Sequence, residues 1–146
     1  CISNAKRGGN TAIVDARKIY NQIKKKKPEI IKELTKNFYF ETRGFKFKKD
    51  YLVKPIFKKK NKKISFRYFK EYITTGYEKA KKNIEHKKIK ALNHLDKQLN
   101  LKKNKIKLKL KKGDIIIINN KTTAHGRTNF IIDKQYPRKF LRIWIN

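Results

Sequence analysis

Three histidines and a pair of C-terminal arginines are the residues whose chemistry stands out. His125 follows an apolar run and a polar stretch in "GDIIIINNKTTAHGRTNF", Gly113 to Phe130. An imidazole there can bind a metal or satisfy one hydrogen bond in or at the rim of a core. Arg138 and Arg142 lie four residues apart in "RKFLRIWI". On a strand that even spacing puts both on one face, and a guanidinium offers a planar fork that grips a carboxylate and keeps its charge. The chain's H-x-D sequence is "HLD", His94 to Asp96, inside "IKALNHLDKQLN". That stretch reads as helix, where residues two apart point about 200 degrees from each other, so the pair is poorly placed to grip one metal. His86, in "IEHKK", reads as a surface residue.

These groups need elements to hold them. "CISNAKRGGNTAIVD" reads as a short strand, a turn at Gly8-Gly9 and a second strand. Asp15 is placed to cap a following helix whose Ile19, Tyr20 and Ile23 share a face, and Pro28 ends that helix and suits the first turn of another. "FYFETRGFKF" alternates around Arg43-Gly44 as a hairpin would, and "KPIFKKKNKKISFRYF" does so around Asn61. From Thr75 to Leu101 apolar residues recur at helical spacing. "KIKLKL", "DIIIINN", "TNFII" and "KFLRIWIN" then read as four strands, and the unbroken "IIII" predicts a strand buried on both faces. The expected class is therefore mainly β with helices, a sandwich, barrel or jelly roll, in a single domain over residues 1–146.

Composition narrows the partners. The net charge is +31, from 42 basic and 11 acidic residues. The bases are 35 Lys against 7 Arg, accompanied by 20 Ile and 13 Asn. Phosphate contacts give no reason to enrich isoleucine, so the skew points to A- and T-rich coding DNA more than to a nucleic-acid surface. The lysines still predict nonspecific, salt-sensitive polyanion binding. No apolar run approaches the roughly 18–20 residues of a membrane span, and "CISNAKRGGN" lacks the apolar core of a signal peptide. The single cysteine, Cys1, excludes an internal disulfide framework and predicts a reducing, cytoplasmic setting.

The C-terminal blocks "GDIIIINN", "AHGRT" and "RKFLRIWI", the last beginning thirteen residues after His125, resemble the signature of the Fe(II)/2-oxoglutarate-dependent oxygenases of the taurine dioxygenase and clavaminate synthase type. "CISNAKRGGNTAIVD" resembles that superfamily's "C…A..GG.T…D" stretch, so the likeness spans nearly the whole chain. The resemblance implies part of a double-stranded β-helix, or jelly roll. It implies that His125 is the distal histidine of a two-histidine, one-carboxylate iron site, and that Arg138, with Thr11, binds the far carboxylate of the cosubstrate 2-oxoglutarate. It implies that Arg142 meets an acidic group of a small amino or carboxylic acid substrate, O2 being the oxidant. Asn120 and Arg127 match the pattern too and read as turn and scaffold residues. The H-x-D or H-x-E motif that should precede the first block does not occur there, so the chain is expected to be the C-terminal portion of a longer oxygenase domain, binding iron poorly by itself. Two other readings stay open: a lysine-rich nucleic-acid-binding module, and a noncatalytic remnant of the oxygenase fold.

Overall fold

A computed structural model describes residues 1–44, 49–132, 134–135 and 137–145. Strand β1 (Thr11–Asp15) leads directly into helix α1 (Ala16–Lys26). The Asp15 carboxylate accepts from the backbone N–H groups of Arg17 at 2.8 Å and Lys18 at 3.4 Å, satisfying donors that a helix start leaves open. Lys24, Lys25 and Lys26 sit in the last turn, where the helix dipole favours cations. Pro28 takes the first position of α2 (Pro28–Leu34), since its missing N–H costs nothing there.

Strand β2 (Asn37–Glu41) pairs antiparallel with β3 (Tyr51–Pro55). The return strand expected just after Gly44, residues 45–47, lies outside the described residues. Strands β4 (Phe57–Lys60) and β5 (Lys63–Phe66) form the expected hairpin about Asn61. Asn61 and Lys62 both have positive φ, 47° and 63°, as the two-residue turn matching strand twist requires.

The helical stretch expected from Thr75 to Leu101 falls on two helices, α3 (Lys70–Lys79) and α4 (His86–Asn100). The break falls after Ala80, where Lys81 turns left-handed at φ 52°. Helix α3 lies so close on β2 that a Cβ on Gly76 would come 2.5 Å from the Tyr39 carbonyl oxygen. Four helices and the β2–β5 hairpins enclose one core, with Phe38, Phe57, Ile19, Leu34, Ile73 and Leu95 fully buried. Each such side chain contributes about 1.5–3 kcal/mol by leaving water.

After α4 come β6 (Ile106–Leu108) and β7 (Thr123–Arg127), which flank β1 in a three-stranded antiparallel sheet of order β6-β1-β7. The observed class is thus mixed α/β and not mainly β: the helices hold 11, 7, 10 and 15 residues, the strands three to five each. No closed barrel forms among the described residues. The "IIII" run is a second departure, for Ile115 and Ile117 are 86% and 84% exposed. Their neighbours Ile116 and Ile118 are partly covered, so burial alternates along the run. An apolar sequence lacks polar alternation whether or not its outer face is covered, which is why this difference was invisible in it. No described helix is long and apolar enough to cross a membrane.

Candidate functional site

The β1–β7 ladder sets out the candidate residues. Ile13 stands opposite His125, Thr11 opposite Arg127, and Val14 opposite Ala124. Directly opposed residues share a face and successive residues alternate. Val14 and Ala124 therefore face the helical core, where Val14 is 5% exposed and Ala124 packs against the buried cluster. Thr11, Ile13, His125 and Arg127 occupy the other face. Ile106 and Leu108 of β6, opposite Ile13 and Thr11, join them and remain exposed. His125 thus sits on a strand anchored by its back face, with its imidazole in the open and no hydrogen-bond partner among the described residues.

The Gly8-Gly9 turn carries the chain into this face. Gly8 and Gly9 have φ of 74° and 68°, a region glycine enters at no steric cost. Lys109 donates to the carbonyl oxygens of Ala5 and Gly8 and so clamps the turn. Beyond β7 the chain stays zipped to it, Gly9 N–H donating to Asn129 O at 3.1 Å and Thr128 N–H to Asn10 O at 3.0 Å. Further on, Lys139 bridges Ser3, whose hydroxyl donates to the Pro137 carbonyl. The expected first strand is reduced to this one bridge.

Arg138 lies between these two seams. Its Cδ is 3.3 Å from where a Cβ on Gly9 would stand, so the glycine is the space the arginine occupies. Its Cζ lies 3.8 Å above the Phe140 ring. Its Nε is buried without any hydrogen-bond partner among the described residues. Burial first, and the Arg127 charge second, lower the guanidinium from the ordinary arginine range. A buried cationic donor with no acceptor is costly, and a bound anion would remove that cost. Arg142 is exposed, its Cζ 5.8 Å from the Trp144 ring centre. Arg138 and Arg142 differ in burial, and residues 138–142 contain one bridge and no strand. Thr11 is half-buried two residues beyond Gly9, with no hydrogen bond to its hydroxyl among the described residues.

The histidine–aspartate pair on α4 is elsewhere and otherwise engaged. Asp96 accepts from the Tyr68 hydroxyl and from Lys70 Nζ at 2.9 Å. His94 is partly buried, and burial, then Lys27 and Lys97, push its pKa down. His86 is exposed at the start of α4. Among the described residues no three His, Cys, Asp or Glu side chains group to hold a metal ion. Asn120 lies in a turn, as its sequence suggests. Arg127, read from sequence as scaffold, has no carboxylate partner among the described residues and stacks 4.6 Å over the Phe130 ring. The signal for it was its spacing, two residues beyond His125 on a strand.

The sequence model of the taurine catabolism dioxygenase TauD, TfdA family matches residues 1–144. The chain is also similar to the FR-33289 synthase of Streptomyces rubellomurinus (strain ATCC 31215), 26% identical over 155 aligned positions. All of this chain is covered but 45% of that protein, so the chain spans less than half of its relative's length. With a match from its first residue almost to its last, the chain belongs to the TauD/TfdA dioxygenase family.

Proposed function

We propose that this chain carries the cosubstrate-anchoring part of an Fe(II)- and 2-oxoglutarate-dependent oxygenase, a hydroxylase of small amino or carboxylic acids built on a jelly roll. The observation that carries the reading is the Nε of Arg138, buried with no hydrogen-bond partner among the described residues. In this role Arg138 grips the far carboxylate of 2-oxoglutarate. Phe140 holds the guanidinium plane and Gly9 leaves it room. The Thr11 hydroxyl is a second donor to the same carboxylate. Arg142, more exposed, meets an acidic group of the substrate.

Iron is only partly provided for. His125 is the one candidate ligand the described site offers, and a facial site needs two histidines and a carboxylate. The other two ligands would come from polypeptide outside these 146 residues, and no step of the reaction is assigned to this chain alone. Its contribution is to fix the imidazole on a strand braced by Val14 and Ala124, and to bind the cosubstrate in one orientation.

Calorimetric titration of the chain with 2-oxoglutarate tests this. A charge-assisted hydrogen bond is worth about 1.5–3 kcal/mol. Arg138→Ala is therefore expected to weaken binding about tenfold to a hundredfold, at tenfold per 1.4 kcal/mol. Arg138→Lys should recover part of the loss, keeping the charge without the fork. Intact affinity in Arg138→Ala together with abolished affinity in Arg142→Ala would show the two arginines' roles to be exchanged.

A further inference from the structure

We infer that Arg127 is a second cation of the carboxylate receptor formed by Arg138, and that it sets the site's preference for ligands with a terminal carboxylate. The inference rests on the cosubstrate reading of Arg138 and adds a residue to it. Three observations support it. The β1–β7 register puts Arg127 directly opposite Thr11 and on the face that carries His125. The seam that follows, Gly9 to Asn129 and Asn10 to Thr128, ties the Arg127 end of β7 to the glycine against which Arg138 packs. Each guanidinium is then held by an aromatic ring and, among the described residues, by no acid, Arg127 by Phe130 at 4.6 Å and Arg138 by Phe140 at 3.8 Å.

Two like charges held in one region with no counter-ion among the described residues repel each other. Stacking on a ring orients a guanidinium while leaving its in-plane N–H groups free. Such an arrangement suits a planar anion that accepts from both forks, and it suits a neutral ligand poorly. Arg127 has neither a carboxylate nor a backbone carbonyl partner among the described residues, so no described group competes with a ligand for its donors.

The test is titration of the purified chain with two ligands, 2-oxoglutarate and 2-oxobutanoate, the second lacking the far carboxylate. Arg127→Gln is expected to weaken 2-oxoglutarate binding about tenfold and to leave 2-oxobutanoate unchanged. Arg127→Lys should regain part of the loss. Far-UV circular dichroism of both variants should match the parent, because the Thr11–Arg127 pairing uses backbone groups only. If Arg138→Gln weakens 2-oxoglutarate binding and Arg127→Gln does not, the present inference is overturned and the reading of Arg138 stands. If neither substitution matters, or the parent chain binds no dicarboxylate, both are overturned.

Discussion

Replacing Gly8 with alanine attacks the seam that holds the site together. At φ 74° an L side chain costs about 1–2 kcal/mol. The added Cβ would also press into the Asn129 carbonyl and come 2.8 Å from the Phe130 Cα, both parts of the backbone. Forcing a methyl group into packed backbone costs about 1–3 kcal/mol more. The alternative is to unzip residues 7–10 from 128–131. That surrenders the Gly9–Asn129, Thr128–Asn10 and Ile131–Arg7 backbone bonds and the Asn10–Thr128 Oγ1 bond, at about 1 kcal/mol each. The cheaper route sets the observed cost, which should therefore be about 2–4 kcal/mol. Gly113→Ala is the control, since Gly113 also has positive φ, 90°, but nothing lies within 4 Å of its missing Cβ. Only backbone strain of about 1–2 kcal/mol applies there. Urea unfolding followed by circular dichroism should place the Gly8→Ala midpoint about 1 M below that of Gly113→Ala, for a slope of about 2 kcal/mol per molar. Unzipping also displaces Phe130 and with it Arg127, so 2-oxoglutarate affinity should fall further in Gly8→Ala. Equal midpoints and equal affinities for the two variants would refute the close approach on which this reasoning depends.

Other substitutions probe the framework. Leu95→Ala empties a fully buried position and should cost about 2–5 kcal/mol in urea unfolding; a cost below about 1 kcal/mol would mean that α4 is not packed as described. Asp15→Ala removes the α1 cap and should cost about 1 kcal/mol at neutral pH. The hydrogen bond from Arg17 holds the Asp15 carboxyl below its ordinary value of 3.8, so its contribution is present above that value and lost as pH falls through the folded one. The gap between parent and variant should be constant from about pH 5 to pH 8 and close in stronger acid, and a gap that widens on acidification would contradict this sign. The lysines should give polyanion binding that falls at least tenfold between about 50 and about 200 mM salt and differs little among duplex sequences; titrations showing about a hundredfold preference for one sequence would favour the nucleic-acid reading.

Local features were legible where a residue's own chemistry decides its conformation. Asp15 caps, Pro28 starts a helix, and Asn61 turns because side-chain acceptors, a fixed φ and tolerance of left-handed backbone are properties of single residues. The helix break after Ala80 was not legible, for no proline or glycine marks it and Lys81 adopts its left-handed φ in tertiary context. The β content was overestimated because the C-terminal apolar segments have strand-like patterns yet few pairing partners within these residues: Leu141, Ile143 and Ile145 are all largely exposed. His125 and Arg138 are singled out as candidates by resemblance to a family signature. Arg127 reads as scaffold in the sequence because a charged residue on a strand edge is usually solvated, and the ladder register and the lack of an acid partner among the described residues mark it as different.

The β1–β7 seam also has a kinetic consequence. Its partners are far apart along the chain, 118 residues for Asn10 and Thr128 and 134 for Ser3 and Pro137. The buried cluster of the helical core, by contrast, is built between Val14 and Leu95, with Ala124 of β7 packed against it. Contacts between distant residues bear the larger loop-closure entropy and form slowly. Helical signal should therefore recover first on refolding, with ligand affinity returning in a later, slower phase. During synthesis β1 emerges more than a hundred residues before β7 can pair with it, so the nascent chain displays its glycine turn and a strand lacking that partner throughout the interval. Any factor that shields that strand on the ribosome would act on the yield of competent sites and leave the core's rate of formation unchanged.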